Sequence, residues 1–262
     1  MERDISGKVT VVTGASSGNG RAIAKDFGAE GAPVVVADLQ EDPREGGYED
    51  NIQMTTSEAI RENGGEATFV ECDVTDREQV RAAVETAVDE FGQLDVMVNN
   101  AGIFTRLVNT LETTQEEWDQ TIATNLTGVW NGCKESLDQF MDQDGGGNII
   151  NIASAGGVVG LLNEPAYTAA KGGVVQLTRT IALDSAQYEI NVNAVAPGWI
   201  STSMTREYFE DQDIREDLEQ GTPWPRLGSP EDVANACTFL AAPESEFITG
   251  SVLTADGGYT AR

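Results

Sequence analysis

The sequence predicts an α/β protein: one doubly wound domain over residues 1–262, with about seven parallel strands and helices on both faces of the sheet. Three observations lead there. Short β-branched runs alternate along the chain with longer segments of helical period. The first run flows into a glycine-rich turn and then a helix. Gly14, Asp38, Asn99, Ser154 and Pro197 each follow the end of a run, the edge at which open α/β sheets bind ligands. The cofactor half is expected over about 1–150, and the catalytic and substrate half over about 151–262.

Residues 8–13 (KVTVVT) form the first strand, and Gly14-Ala15-Ser16-Ser17-Gly18-Asn19-Gly20 follows directly. Ala22, Ile23, Phe27 and Ala29 then recur at helical spacing. Strand, glycine turn and helix offer backbone N–H groups and a helix N-terminus to a pyrophosphate. The spacing is GxxxGxG, which alone could also be a tight turn with no ligand. Residues 33–38 (PVVVAD) make the second strand, and Asp38 ends it 18 residues past Gly20. A carboxylate there accepts from two ribose hydroxyls and repels a 2′-phosphate, so NAD is expected and NADP disfavoured. Ser17 supplies no cation for such a phosphate, and Arg44 is the one nearby candidate.

Residues 40–54 (QEDPREGGYEDNIQM) are acidic and rich in turn formers. They are read as a solvated insertion, the alternative being a flap over the adenosine end. A short helix over 57–63 ends at Gly64-Gly65. Residues 67–72 are the third strand, followed by Asp73; Thr75 and Glu78 read as a capping box for a helix to about Phe91, closed by Gly92. The fourth strand, 94–98, leads into Asn99-Asn100-Ala101-Gly102. Thr114 and Glu117 frame a second box before a long helix to about Met141, with Asn125 inside it, a poor helix former. Residues 144–147 (DGGG) read as a surface turn.

Strand five, 148–153, delivers Ser154, and a helix from Pro165 to about Ala186 carries Tyr167 and Lys171. Strand six, 190–196, stops at Pro197-Gly198. Residues 201–221 are polar and acidic and read as the body of a mobile lid spanning about 199–222. Ser229 caps a helix with Pro230 at its first position. The last strand, 251–255, ends in Asp256-Gly257-Gly258.

Composition excludes several classes. The chain has 44 Asp+Glu against 16 Lys+Arg, a formal net charge of −28. No basic stripe exists to neutralise phosphates, so nucleic acid is not expected as a partner. Self-repulsion on this scale destabilises a fold at low salt and is screened in molar salt, where the Debye length is about 3 Å. Adaptation to a salt-rich cytoplasm is therefore expected, the alternative being a merely acidic mesophilic enzyme. Cys72, Cys133 and Cys237 are far apart, and the chain has no histidine, so no zinc site is expected; the cysteines read as small buried hydrophobes of a reducing compartment. The N-terminus lacks the positive region and cleavage site of a signal peptide, and no apolar run reaches about 18 residues, so no membrane span is expected.

Tyr167 and Lys171 are four residues apart and share one helix face, just after the strand end that carries Ser154. With no histidine for proton transfer, a tyrosine is the candidate acid/base. A nearby ammonium favours phenolate, which would bring Tyr167 down from about 10 toward working pH. Such a pair also occurs on ordinary amphipathic helices, so the chemistry rests on the motifs together.

Together these motifs resemble the short-chain dehydrogenase/reductase family, in its order and over nearly the whole chain. Thr13-Gly14, Gly18 and Gly20 match its cofactor turn; Asn99-Asn100-Ala101-Gly102 match its NNAG motif. Asn125, Ser154, Tyr167 and Lys171 match its catalytic tetrad, and Pro197-Gly198 with Thr202 its nicotinamide-side segment. The resemblance implies a Rossmann-type fold. It places the dinucleotide against Ser16, Ser17 and Asn19 as well as the turn glycines, then Asp38 and Leu39. Further along it implies Cys72, Asp73 and Val74, with Asp73 near the adenine, then Asn100, Ala101 and Gly102. Tyr167, Lys171, Pro197, Gly198, Ile200 and Thr202 complete that expected set. Asn19 departs from the family, which usually has an apolar residue there, so a local change in packing or dinucleotide affinity is expected.

The chemistry implied is hydride transfer between a nicotinamide and a carbinol or carbonyl carbon. Tyr167 exchanges the hydroxyl proton, Ser154 binds the substrate oxygen, Lys171 lowers the tyrosine pKa and holds the ribose, and Asn125 holds a water linked to Lys171. A homotetramer is expected, with the helices of Asn125 and Tyr167 in contact. The substrate pocket is expected from residues 155–164, 103–106 and 198–200, with Tyr208, Phe209 and Trp224 of the lid region. Asn163, Glu164 and Arg106 are polar options at its rim, Arg106 reading better as a surface ion pair. The first expectation is NAD-dependent oxidation of a sugar, sugar acid or other secondary alcohol. The alternatives are a 3-oxoacyl-thioester reductase and, from another class, a catalytically silent dinucleotide sensor.

Overall fold

Seven short runs of Val, Ile, Ala and Thr pair edge to edge in the order β3-β2-β1-β4-β5-β6-β7, every neighbour parallel. They are β1 (Thr10–Thr13), β2 (Val34–Asp38), β3 (Ala67–Glu71), β4 (Val96–Asn99), β5 (Gly147–Ile152), β6 (Ile190–Pro197) and β7 (Val252–Ala255). This computed structural model describes residues 4–44, 53–143 and 146–261. Residues 45–52 of the acidic insertion and 144–145 of the expected surface turn lie outside them; Gly147 opens β5.

A strand covered on both faces needs apolar side chains at successive positions. β1 and β4 are buried at every residue, whereas edge strand β3 is largely half-buried. Successive side chains point to opposite faces. Val11, Met97 and Ile149 pack on Val80 of α3 (Arg77–Phe91), Phe140 of α5 (Gly128–Asp142) and Val174 of α6 (Pro165–Ser185). Val12, Val98 and Ile150 pack on the opposite layer, with Ile23 and Phe27 of α1 (Gly18–Ala29) and Val233 and Leu240 of α9 (Pro230–Ala241). β1 lies between β2 and β4, so the chain winds away from it in both directions and opens a crevice at their C-terminal ends.

Helix starts follow local chemistry, with one correction. Thr55 caps α2 (Thr56–Glu62), Thr114 caps α4 (Gln115–Ile122) and Ser229 caps α9, each in a reciprocal box. The expected box at Thr75 is not formed. Asp76 caps α3 by accepting from Glu78 N at 3.0 Å, while Thr75 turns back and donates N–H and O–H to Asp73 at 2.9 and 2.8 Å. The long helix expected around Asn125 is interrupted: α4 passes into a π-helical turn, Ala123–Thr127, before α5. The expected lid folds into α7 (Arg206–Glu210) and α8 (Gln212–Gly221), the latter with no buried residue. Cys72, Cys133 and Cys237 are free and buried, as expected for small core residues. Among the described residues no helix is long and apolar enough to cross a membrane.

A buried polar chain ties the centre together. Asn99 Nδ2 donates to Asn151 Oδ1 at 2.9 Å, and Asn151 Nδ2 donates to Thr178 Oγ1 at 3.0 Å, joining β4, β5 and α6. Helix α5 approaches this chain through Gly132, where a Cβ would stand 1.8 Å from Asn99 Oδ1. Overpacking such a site costs about 1–3 kcal/mol. Gly132→Ala is therefore expected to lower Tm by several degrees in a thermal melt; an unchanged melt would contradict the close packing.

Candidate active site

A cleft of about 500 Å³ runs along the C-terminal strand edge from the glycine turn to Lys171. The turn is shaped for close approach. Gly14 has φ +64°, and a Cβ there would lie 2.8 Å from Ala101 Cα; a Cβ on Gly20 would lie 2.1 Å from the Gly14 carbonyl oxygen. Asn100 clamps the turn by donating Nδ2 to the carbonyls of Thr13 and Gly14 at 2.8 and 3.1 Å, while its N–H and that of Ala101 reach Thr13 Oγ1. Helix α1 starts with no side-chain cap from Ser17 and no acidic residue in its first turn. A helix start that Ser17 does not cap and that carries no acidic residue, facing a cleft, suits an anionic pyrophosphate.

Most expected dinucleotide contacts line this cleft: Gly14, Ser17, Gly18, Asn19, Asp38, Leu39, Cys72, Asp73, Val74, Asn100, Ala101 and Gly102. Tyr167, Lys171, Pro197, Gly198, Ile200 and Thr202 line it too. Ser16 and Gly20 do not. Ser16 is buried behind the wall: its N–H donates to Asp38 Oδ2 at 2.9 Å and its hydroxyl to the Gln40 carbonyl at 2.6 Å. It positions Asp38, whose other oxygen accepts from Leu39 N at 2.8 Å. Each carboxylate oxygen keeps a second acceptor site for a ribose hydroxyl. Gly20 is excluded by the same contact with Gly14 that makes it a glycine. Asn19, the departure from the family pattern, lines the cleft with a buried Oδ1 that meets no donor among the described residues. Arg44 lines the adenosine end, and its backbone N–H donates to Ser17 Oγ at 2.6 Å.

At the other end β5 delivers Ser154 in extended backbone, and α6 raises Tyr167 and Lys171 on one face. Lys171 is 3% exposed; its Nζ donates to the Ile152 carbonyl at 2.7 Å and lies 5.8 Å from the Tyr167 ring centre. The expected fall in the Tyr167 pKa is not found. Burial pushes the phenol up to about 12, against a smaller lowering by the Ser154 hydroxyl, and the Glu164 carboxylate adds to the rise. Burial also draws the Lys171 ammonium down to about 8. Desolvation is the largest effect on both groups.

Asn125 is fully buried in the π-helical turn, where its side chain has a structural task. Its Oδ1 accepts from Ile103 N and its Nδ2 donates to the Ile103 carbonyl, both at 2.8 Å. The amide thus holds the loop after Gly102. A Cβ on Gly102 would lie 3.3 Å from Asn125 Oδ1 and 3.7 Å from Lys171 Nζ, so the three are packed together. A π turn widens the helical ladder and is a common device at functional sites, which explains a poor helix former here.

Beyond Ser154 the cleft opens into an annex of about 70 Å³, walled by Phe104, Leu161, Trp199, Tyr208 and Tyr259, with Glu164 and Tyr167. Phe104 meets Tyr167 and Tyr208 edge-on at 5.4 and 6.0 Å between ring centres. Several expected pocket residues lie elsewhere. Phe209 is buried beneath, Trp224 lines a separate groove near Gly257, and Arg106 faces outward in an ion pair with Glu117. Met204 and Thr205, from the expected lid, join the annex, as does Tyr259, for which the sequence carries little sign. Tyr259 arrives because Asp256 folds the tail back, accepting from Gly258 N and from Thr260 N and Oγ1 at 2.9, 2.9 and 2.6 Å. The Asp256-Gly257-Gly258 turn was its only visible signal.

Residues 14–260 match a family model described as enoyl-(acyl carrier protein) reductase. The chain is 42% identical over 260 residues to 3beta-hydroxysteroid dehydrogenase 1 of Eggerthella lenta, covering 99% of this chain and 96% of that one. It is 38% identical to glucose 1-dehydrogenase 2 of Bacillus subtilis over 99% of this chain and 97% of that one. It is also 39% identical to a 3-oxoacyl-(acyl-carrier-protein) reductase of Thermotoga maritima, over 97% and 98% of the two chains. Among solved structures, a protein of Agrobacterium tumefaciens provisionally named 2-deoxy-D-gluconate 3-dehydrogenase, with bound NADP, superposes with a TM-score of 0.89. That protein is 32% identical, and the match covers 100% of this chain and 99% of that one.

Proposed function

The chain belongs to the short-chain dehydrogenase/reductase family, whose members use NAD(P) and act on CH–OH groups, and from that premise we propose that it oxidises a sugar, sugar acid or similar secondary alcohol with NAD. The observation that carries the reading is continuity: one cleft joins the start of α1 and Asp38 to Tyr167, Ser154 and Lys171. A nicotinamide dinucleotide bound there supplies or takes the hydride. Tyr167 exchanges the hydroxyl proton, and the Ser154 hydroxyl steadies the substrate oxygen as charge develops on it. With its pKa near 12 the free phenol is protonated at neutral pH. It is a ready acid for carbonyl reduction, and oxidation needs it deprotonated. Positive charge brought into the cleft, together with Lys171, favours that phenolate. Lys171 lies beneath Tyr167 and is the residue to hold a ribose hydroxyl; Asn125 positions the Ile103 loop above it.

Asp38 supports NAD, since its fixed carboxylate opposes a 2′-phosphate. The reductase reading with NADPH is kept open by Arg44 at the same end of the cleft and by the thioester reductase among the relatives. The salt-rich cytoplasm proposed for this acidic chain sets the assay conditions. The helices of Asn125 and Tyr167 leave Trp118, Trp130 and Leu183 exposed, and we place the contacts of a homotetramer there.

The test is initial rates in about 2–3 M KCl, where charges are strongly screened, beside rates at low salt. NAD reduction is followed with aldoses, sugar acids and secondary alcohols, and NADH and NADPH oxidation with a 3-oxoacyl thioester. Turnover of an alcohol with NAD, faster in high KCl than in low, is expected. Faster thioester reduction with NADPH would overturn the oxidative reading, and a rate that falls with KCl would overturn salt adaptation.

A further inference from the structure

Glu164 is a carboxylate where an apolar pocket would be simpler to build. It is 6% exposed and lines the annex, one helical turn before Tyr167. Among the described residues its side chain makes no hydrogen bond or ion pair, although the nearest walls are aromatic and aliphatic. A buried carboxyl left without a partner is destabilising unless something that enters the site satisfies it. Burial pushes Glu164 up to about 7, and its charge is felt by both Tyr167 and Tyr208. It therefore faces the space where the reacting carbinol sits, within the reach of a neighbouring substituent.

We propose that Glu164 binds the hydroxyl on the carbon next to the reacting carbinol, which makes uncharged vicinal diols, such as polyols and aldoses, the preferred substrate class. This rests on the oxidative reading above and narrows it. A hydroxyl donates to the carboxylate, and its carbon skeleton stacks on the rings of Phe104 and Tyr208. A carboxylate substituent would be repelled, which sets sugar acids below neutral sugars. An ammonium on the neighbouring carbon would satisfy Glu164 but would oppose hydride loss, because the carbinol carbon becomes electron-poor in that step.

The test compares trans-1,2-cyclohexanediol with cyclohexanol in wild type, Glu164→Gln and Glu164→Leu. The readout is the ratio of the two kcat/KM values with NAD. Wild type is expected to favour the diol at least about tenfold, Glu164→Leu to lower the ratio about 10- to 100-fold, and Glu164→Gln to keep most of it, as expected for one strong hydrogen bond. Binding of the diol in the presence of NADH, followed by saturation-transfer NMR, separates the two claims. Diol binding that depends on Glu164 without any alcohol oxidation would overturn the oxidative reading and leave this inference standing. A ratio or a binding signal indifferent to Glu164→Leu, a diol that neither binds nor reacts, or a preference for 2-aminocyclohexanol would overturn the inference.

Discussion

Tyr167→Phe is expected to lower kcat/KM for alcohol oxidation by about 10²- to 10⁴-fold, the usual contribution of a positioned acid/base. The ring still fills its place against Phe104 at the mouth of the annex, so NADH affinity should change by no more than about threefold, a minor effect on this scale. The wild-type pH profile carries the same information. Without dinucleotide the phenol sits near 12, and kcat/KM for the alcohol at saturating NAD reports the enzyme–NAD complex, in which the cofactor's positive charge draws the phenol below that value. Oxidation needs the deprotonated form, so kcat/KM should climb through the alkaline range. Reduction needs the protonated form and should not share that climb. Stability runs separately. The raised phenol binds its proton more tightly when folded, so its contribution is complete below about 10 and is lost as pH rises toward 12. The depressed Lys171 acts in the opposite sense, adding stability as pH rises from about 8 to about 10.4. A loss below about tenfold in Tyr167→Phe, or an oxidation profile that falls with rising pH, would remove tyrosine from the proton step.

Asp38→Ala is expected to raise the ratio of kcat/KM for NADP over NAD by about 10²- to 10³-fold. Two effects act together: hydrogen bonds to the ribose hydroxyls are lost, and a like charge facing the 2′-phosphate is removed. Arg44 at the same end of the cleft is then free of that competition. Asp38 also receives the N–H groups of Ser16 and Leu39, so alanine loosens the turn as well. Asp38→Asn keeps one acceptor and removes the charge, and its ratio should move in the same direction. Steady-state rates with both dinucleotides decide the matter. An unchanged ratio in both variants would show that Asp38 does not select the cofactor.

The sheet was legible in the sequence because a parallel sheet buries both faces, and runs such as PVVVAD and NIINIA can do little else. The glycine turn was legible for a related reason, since only glycine fits where a Cβ would strike the Gly14 carbonyl. What stayed hidden depended on contacts distant in sequence. Nothing local to Asn125 says that its amide brackets Ile103, because the π turn is a tertiary arrangement of an ordinary helical pattern. Tyr259 enters the annex only through the fold of the tail around Asp256. Thr75 lost its cap role to Asp76 because its own N–H and hydroxyl serve Asp73. The raised pKa of Tyr167 is not visible in the sequence, since helical spacing reveals the neighbouring ammonium and conceals the burial that raises the phenol.

Transfer of deuterium tests the central claim most directly. The alcohol that reacts fastest in high KCl is labelled at its carbinol carbon and incubated with NAD and either wild type or Tyr167→Phe. The mass of the reduced dinucleotide is then read. One deuterium per product molecule is expected with wild type, with transfer slowed by at least about 10² in Tyr167→Phe. Label left on the alcohol or lost to solvent with wild type, or equal transfer by the two proteins, would contradict hydride transfer governed by Tyr167.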